Sequence, residues 1–238
     1  MSDPWKADEP IKEENIINES ERDSANPEND EYKLVKLEDD GKVSGQFLRP
    51  ANIVVFETNG TYSCPANVSH IKVEAVGGGQ AGERNGSAAA TTAQSGRGGN
   101  YGVKIIPRDD ITSEVSVVIG SGGVGTTSSS GTPNGSTTSF GAFMSVTGGG
   151  ESGIGTGADY YVQGEGGENG NNGGQTPAYN RGGSSYLGKG ADLRTGNSNG
   201  FNGQKYGGGG GGAASTSSSA FKAGGSGANG VVIITEYF

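Results

Sequence analysis

The sequence predicts an all-β protein, a glycine-rich β-sandwich or jelly-roll-like domain with polyglycine or PPII-like loops, preceded by an extended N-terminal arm. The first observation is that 48 of the 238 residues are glycine and only 30% are hydrophobic. Glycine averages about 7% in proteins and loses more backbone freedom on folding than any other residue, so this composition calls for closely packed backbones. The second is that apolar and β-branched residues form short runs, which is typical of strands.

The third observation is that glycine and charge divide the chain into regions. Residues 1–50 contain only two glycines and hold 14 acidic against 7 basic residues, whereas the remainder holds 12 and 10. We therefore predict three regions with one insertion. They are an acidic extended attachment arm at 1–31, a linker or short β shaft at 32–52, and a glycine-rich β domain at 53–238 with a Gly/Asn/Tyr-rich insertion at 151–230.

The arm is rich in Glu, Asp, Asn and Pro, and its few apolar residues follow no long helical or strand period. Such a segment buries too little apolar surface to fold alone. Two interpretations stay open: a solvated tail, or a segment that becomes ordered against a partner protein. In the second, the apolar anchors would be Trp5, Ile11, Ile16 and Ile17.

The domain's strands are predicted from alternation. Ile71, Val73 and Ala75 alternate with Lys72 and Glu74, the period-2 pattern of a half-buried strand. Other strand-like runs lie at 53–56, 61–65, 101–106, 113–119 and 231–238, and 137–147 is expected to form two short strands that pivot at Gly141.

The stretch from 148 to 230 is dominated by Gly, Asn and Ser. A structureless loop of this length is uncommon in a compact domain, so the stretch should have its own order. PPII segments fit best, because glycine lets extended backbones lie side by side and hydrogen-bond to one another. The run 207–212 is the clearest case, and no Gly-X-Y period supports collagen. A flexible tract is the alternative.

Several functions are disfavoured by what the sequence lacks. No run approaches the roughly 20 apolar residues of a membrane span, and no secretory signal pattern begins the chain. The chain is acidic and has no basic stripe, which argues against nucleic acid. Cys64 is the only cysteine, so an intrachain disulfide is impossible.

No motif predicts catalysis, and we expect neither an enzyme nor a cofactor or metal. The G-x-G-x-x-G match at 120–125 would need a following helix to hold a dinucleotide, and a Ser/Thr/Gly stretch follows instead. His70 is the only histidine, too little for a triad or a zinc site. Paired carboxylates for glycan cleavage lack a predicted rigid element to fix their spacing; the candidates are Asp159, Glu165, Glu168 and Asp192.

The insertion also carries aromatic side chains among asparagines, a composition typical of adaptable recognition surfaces. Tyrosine rings can stack on sugars, and asparagine amides can bond to hydroxyls. The alternative is that the rings fill gaps that glycine leaves inside the domain. The candidate receptor contacts are Tyr160, Tyr161, Tyr179, Arg181, Tyr186, Phe201 and Tyr206.

The order of motifs resembles the glycine-rich domain of bacteriophage tail-fibre and virion appendage proteins. The resemblance is carried by Phe56-Glu-Thr-Asn-Gly-Thr-Tyr-Ser-Cys-Pro65, Ile71-Lys-Val-Glu-Ala-Val-Gly-Gly-Gly79, Val117-Val-Ile-Gly-Ser-Gly-Gly123, Ser136-Thr-Thr-Ser-Phe-Gly141, Thr147-Gly-Gly-Gly150 and Gly224-Gly-Ser-Gly-Ala-Asn-Gly-Val-Val-Ile-Ile-Thr-Glu-Tyr237. Residues 32–49 also resemble a linker of phage fibre proteins. The departures are Glu57, where Thr is common, and the polar insertion at 151–206.

The resemblance implies a virion protein, a homotrimeric tail fibre or fibre tip, whose variable loops bind a glycan or protein of the host cell surface. Its arm would then dock to other virion structural proteins. A head fibre or capsid decoration anchored by the same arm is the alternative. Outside this class, an ice-binding or silk-like protein would need regular repeats on a flat face, and the sequence has none.

Overall fold

The computed structural model describes residues 51–84, 93–125, 127, 131–168, 180–193, 198–214 and 221–238. These residues belong to one compact unit that begins at Arg49. The predicted arm, its anchors Trp5, Ile11, Ile16 and Ile17, and all of the linker before residue 51 lie outside the described residues, as does Tyr179.

The described residues form ten strands and one 3-10 turn at Arg108–Asp110. The strands are β1 (Asn52–Phe56), β2 (Gly60–Tyr62), β3 (His70–Val76), β4 (Tyr101–Pro107), β5 (Val115–Val118), β6 (Thr138–Phe140), β7 (Met144–Val146), β8 (Gly155–Thr156), β9 (Tyr160–Val162) and β10 (Val231–Tyr237).

These strands make two antiparallel five-stranded sheets, which confirms the predicted all-β class. The first sheet has the order β1-β10-β3-β4-β9, and the second has the order β2-β5-β6-β7-β8. The C-terminal strand β10 therefore lies between β1 and β3, and it pairs with β3 along all seven residues. The first and last strands of the described domain are held together in this way.

The core lies between the two sheets, where β3, β4 and β10 contact β6 and β7. The alternation predicted for β3 is confirmed, since Ile71, Val73 and Ala75 are completely buried. From the second sheet, Phe140 and Val146 are also completely buried in the same cluster. Burying a large apolar side chain stabilises a fold by roughly 1.5–3 kcal/mol, so these facing layers are the main source of stability in the sandwich.

The predicted polyglycine packing begins where β3 ends, in residues 77–83, which we call the central segment. Its backbone N–H groups donate in rotation to three neighbouring segments, with a repeat of three residues. The N–H groups of residues 77, 80 and 83 bond to residues 100, 97 and 94, those of 78 and 81 bond to 136 and 133, and those of 79 and 82 bond to 228 and 225. Three residues per turn with no internal bonds is the geometry of PPII.

Glycine is required at residues 77–79 of the central segment because carbonyl oxygens of neighbouring segments lie close to each of them. A Cβ atom added at Gly77, Gly78 or Gly79 would lie 2.1–2.2 Å from a backbone oxygen of a different neighbouring segment. The three glycines therefore face three directions and have no room for a side chain in any of them.

A second segment of the same kind, residues 207–214, confirms the prediction made from the glycine run. Gly208, Gly211 and Ala214 donate to the carbonyls of Gln204, Phe201 and Ser198 on one neighbour. Gly210 and Ala213 donate to Gln80 and Glu83, so this segment lies beside the central segment and runs parallel to it. The glycine-rich segments thus form a hydrogen-bonded assembly attached to the sandwich. We call it the bundle, and it contains residues 77–83, 94–100 and 133–136 and the described segments between 164 and 230. The bundle also includes Gly123 of the G-x-G-x-x-G match, which donates to Gly79.

Candidate functional site

The best candidate site is the outer face of the first sheet, opposite the core. Gly102 of β4 faces the core, because a Cβ atom there would lie 2.7 Å from Val146 Cγ1. Its neighbours Tyr101 and Val103 therefore point outward. Tyr160 of β9 pairs with Val103 and shares its face, since paired residues of antiparallel strands project to the same side.

Two further rings from the bundle lie on this surface. Tyr186 stacks on Tyr101 with ring centroids 4.3 Å apart, and Tyr206 packs against the small cluster formed by Val76, Tyr101 and Val231. We call the surface made by Tyr101, Tyr160, Tyr186 and Tyr206 the aromatic face. Tyr160 is 61% exposed and Tyr186 is 60% exposed, which leaves ring surface free to contact a partner.

The base of the aromatic face is fixed by hydrogen bonds. Tyr101 Oη donates to Glu74 Oε1 at 2.7 Å, and Lys72 Nζ lies 2.8 Å from Glu74 Oε2. Burial, and then the bond to Glu74, raises the pKa of Tyr101 well above its usual range. Burial alone would raise the pKa of Glu74, but the bonds from Lys72 and Tyr101 lower it below its ordinary value. Tyr101 therefore stays protonated and holds a charged carboxylate beneath Tyr186.

The edge of the aromatic face is polar. Tyr206 Oη donates to Glu57 Oε1, and Lys205 Nζ donates to Glu57 Oε2 at 2.7 Å. The bond from Lys205, and then that from Tyr206, lowers the pKa of Glu57 below its usual value. The hydrogen bond to Glu57 raises the pKa of Tyr206. Glu57 is therefore the group that connects the bundle residues 205–206 to the turn after β1.

The structure separates Tyr161 from its neighbour Tyr160. Tyr161 pairs with Gly102 and points to the inner side of the sheet, where it packs against the main core. Its hydroxyl accepts a hydrogen bond from the backbone N–H of Ala158 at 2.9 Å. Tyr161 is therefore a packing residue, whereas Tyr160 is a surface residue. Adjacent positions of β9 therefore carry one ring packed against the core and one exposed ring.

The other described candidates lie in the bundle, apart from the aromatic face. Phe201 is 40% exposed, and its carbonyl accepts the N–H of Gly211. Arg181 lines a cleft of the bundle formed by residues between 165 and 192, which we call the charged cleft. Of the candidate receptor contacts predicted from the sequence, the structure therefore places Tyr160, Tyr186 and Tyr206 on the aromatic face.

The sequence prediction missed apolar side chains that extend the same outer face. Ile53 of β1 is 63% exposed and Ile105 of β4 is 58% exposed. At one end of the face, His70 stacks on Tyr237 with centroids 4.6 Å apart and nearly parallel rings. A signal for these residues was present in the sequence. The runs that form β1 and β4 carry apolar residues on both faces, and because only one face of the sheet packs on the core, the apolar residues of the other face are exposed.

The charged cleft has a volume of about 240 Å³ and lies entirely in the bundle. Its lining combines three carboxylates and two cations with glycine backbone. The lining residues are Glu165, Gly166, Glu168, Arg181, Gly182, Ser184, Lys189, Gly190, Ala191 and Asp192. Three of the four carboxylates considered from sequence are therefore neighbours on rigid, hydrogen-bonded segments. The expectation that nothing rigid would fix their spacing is wrong.

Asp159, the fourth carboxylate, has a different setting. It accepts hydrogen bonds from the backbone N–H of Ile105 at 2.8 Å and from Lys104 Nζ at 3.3 Å. The N–H of Ile105, followed by Lys104, lowers its pKa below the usual value. Asp159 therefore joins the loop before β9 to β4.

Other ligand classes were also considered for the described part of the chain. Among those residues, no three His, Cys, Asp or Glu side chains cluster in a way that could hold a metal ion. None of the described helical segments is long and apolar enough to cross a bilayer. Cys64 is a free thiol, and His70 Nδ1 lies 3.0 Å from Ser69 Oγ.

The fold and the site define a class: a two-sheet β-sandwich joined to a polyglycine bundle, with an aromatic outer face. Residues 56–203 match the sequence profile of the family described as the glycine-rich domain, and the chain belongs to this family. The match begins at the end of β1 and reaches into the bundle. No curated protein matches the chain.

Proposed function

We propose that this protein is a non-enzymatic appendage of a bacteriophage particle, a tail fibre or fibre tip, that binds the host cell surface through its aromatic face. The observation that carries the proposal is the exposure of Tyr160 and Tyr186 on one surface, each about three-fifths accessible. Exposed aromatic rings on a rigid support are typical recognition groups, because they contribute large contact area at little entropic cost.

The assignment to a virus particle is supported by the motif order that resembles the glycine-rich domain of phage fibre proteins. In this proposal the acidic arm docks to other virion structural proteins, and three copies form a homotrimer. The partner at the outer end is a glycan or protein of the host surface. A head fibre or capsid decoration is the second candidate, because the acidic arm is as suitable for anchoring to a capsid as for joining a fibre. Copy number per particle separates the two, since decorations are abundant and fibres few.

The rigidity of the aromatic face supports surface binding over a purely structural role for these rings. Tyr186 is held in place by the ring of Tyr101, whose hydroxyl is bonded to Glu74. A partner therefore meets a ring that is already fixed, and less conformational entropy is lost on binding.

The test uses the purified full chain, fluorescently labelled, on a panel of Gram-negative and Gram-positive bacterial cells. We expect saturable binding to some strains, and loss of most of it in the double variant Tyr160→Ser/Tyr186→Ser. The matched control is Phe221→Ser, which removes an exposed ring elsewhere in the bundle (45% exposed). Absence of binding to every strain, or equal loss in the control, contradicts the proposal.

A further inference from the structure

We propose that the charged cleft is a binding site for one uncharged, hydroxyl-rich sugar unit. This inference deepens the proposed surface binding and rests on it only for the origin of the sugar. The cleft differs from the aromatic face because an aromatic residue is absent from its described lining, which consists of charged side chains, one serine, one alanine and glycine backbone. Such a lining offers hydrogen bonds in place of apolar contact.

The cleft carries both signs of charge, three carboxylates and two cations, so an ion of either sign meets groups that repel it. Glu165, Glu168 and Asp192 oppose an anion, while Arg181 and Lys189 oppose a cation. Lys189 is paired with Asp192, and this hydrogen bond is the main reason that the pKa of Asp192 lies below its usual value. The hydroxyl groups of a sugar both donate and accept hydrogen bonds. They can therefore satisfy carboxylates and a guanidinium in the same site without bringing a net charge.

The two glutamates stand on the same side of one segment. The N–H of Glu165 donates to Ser184 and the N–H of Glu168 donates to Arg181, so both residues face the same neighbouring segment. Residues three apart in PPII are one turn, or about 9 Å, apart along the axis. Acceptors are thus placed at both ends of the cleft, a span comparable with one pyranose ring together with its hydroxyl groups.

Glu165 keeps hydrogen-bonding capacity for a ligand. Glu165 Oε2 accepts the N–H of Ser184 at 3.3 Å, which leaves its other oxygen available. The volume of the cleft is about 240 Å³. This is small for a drug-sized ligand and suitable for a single sugar unit.

Gly166 allows the cleft to be blocked without disturbing the bundle. It lines the cleft, and a Cβ atom built on it would meet nothing within 4 Å. By contrast, a Cβ atom on Gly182, another lining residue, would lie 1.9 Å from the carbonyl oxygen of Gly209. The variant Gly166→Trp therefore places a large ring beside the cleft without a clash in the bundle, and Ser152→Trp, at an exposed position outside the lining, is its matched control.

The experiment titrates the ¹⁵N-labelled full chain with pure sugars and follows backbone amide shifts. The neutral probes are the methyl glycosides of glucose, galactose and N-acetylglucosamine, with N-acetylneuraminic acid and glucosamine as anionic and cationic comparators. The same neutral sugar at the end of an oligosaccharide distinguishes a glycan terminus from a free sugar as the source. We expect shifts at residues 165–168 and 181–192 for at least one neutral sugar.

Gly166→Trp should abolish these shifts, and Ser152→Trp should preserve them. Glu168→Gln should weaken binding by about tenfold or more, the loss expected for one hydrogen bond to a charged group. The proposal is overturned if no neutral sugar shifts the cleft residues, if a charged comparator binds more tightly, or if Gly166→Trp binds like the control. These outcomes are independent of cell binding, so the cleft and the aromatic face can fail separately.

Discussion

Tyr62 and Glu236, 174 residues apart in the chain, share a buried hydrogen bond in which Tyr62 Oη donates to Glu236 Oε1 at 2.9 Å. The bond joins β2 of the second sheet to β10 of the first. Asn52 Nδ2 donates to the other carboxylate oxygen, Oε2, at 2.7 Å. Glu236 is only 2% exposed, so these two donors replace the water that a carboxylate would otherwise bind.

Removing the Tyr62 hydroxyl should destabilise the domain. In Tyr62→Phe, the buried Glu236 keeps only the bond from Asn52, and an unsatisfied buried acceptor costs about 1–3 kcal/mol. Urea unfolding should show a fall of this size in the free energy of unfolding. The matched control, Tyr160→Phe, removes an exposed hydroxyl and should change stability by less than about 0.5 kcal/mol. Equal effects of the two variants would show that the bond between the sheets contributes nothing.

Alkaline pH should destabilise the fold through two tyrosines. Burial raises the pKa of Tyr62 and of Tyr101 above the ordinary value; the Cys64 and Glu236 side chains raise that of Tyr62 further, and the bond to Glu74 raises that of Tyr101 further. The unfolded chain loses these protons near pH 10, while the folded chain keeps them, so stability is full below about pH 10 and falls above it. Each tyrosine contributes a fall of up to about 1.4 kcal/mol per pH unit.

The check is urea unfolding at pH 8, 9, 10 and 11. The free energy of unfolding of the wild type should fall more steeply above pH 10 than that of Tyr62→Phe/Tyr101→Phe, which lacks both groups. Parallel pH profiles would contradict the assignment of the effect to these two hydroxyls, because lysine titration is common to both proteins.

A methyl group in the central segment should be costly. In Gly78→Ala the new Cβ would lie 2.1 Å from the carbonyl oxygen of Ser121, so two backbone segments must separate. We expect a loss of about 3 kcal/mol, the upper range for an overpacked interior. Gly166→Ala adds the same methyl group in open space and should be neutral or stabilising by up to about 1 kcal/mol. A thermal unfolding midpoint that is equal for the two variants would refute the packing argument.

Asn100 should be important for the junction between sandwich and bundle. It is 5% exposed, its Nδ2 donates to Thr147 Oγ1 at 2.7 Å, and its Oδ1 accepts the N–H of Gly164 at 2.9 Å. Asn100→Ala leaves the N–H of Gly164 without its acceptor and removes the bond to Thr147, and it should cost about 1–3 kcal/mol. Asn202→Ala removes a comparable bond, from the N–H of Ser226, on an exposed side chain and should cost less. Hydrogen exchange at Gly164 should accelerate in Asn100→Ala alone.

The sandwich was predictable because its strands carry side-chain patterns. The alternation of Ile71, Val73 and Ala75 identified β3 and its buried face. The sequence Phe140-Gly141 identified the pivot between β6 and β7, where Gly141 has a φ of +49°. Such a φ is readily adopted only by glycine, so the chemistry of the turn was visible in the sequence.

The neighbours within the bundle were not predictable in the same way. A glycine segment has no side chains that could distinguish one neighbour or register from another, so the sequence predicts the kind of packing but not the partners. The short strands β8 and β9 were missed because they lie inside the glycine-rich insertion. For the same reason Tyr160 and Tyr161 were treated alike, although adjacent residues of a strand point to opposite faces.

The threefold bonding of the central segment has a consequence for how such a domain can change. Its neighbours are joined to it mainly by backbone groups, with further bonds from the side chains of Gln80 and Glu83, and some run parallel to it while others run antiparallel. The backbone hydrogen bonding between these segments therefore does not depend on the side chains at the ends of the segments or on the length of the loops that connect them. Connections at the ends of its segments can therefore change in length or sequence while the hydrogen-bonded backbone packing stays the same, which separates variation of the exposed loops from the maintenance of the fold.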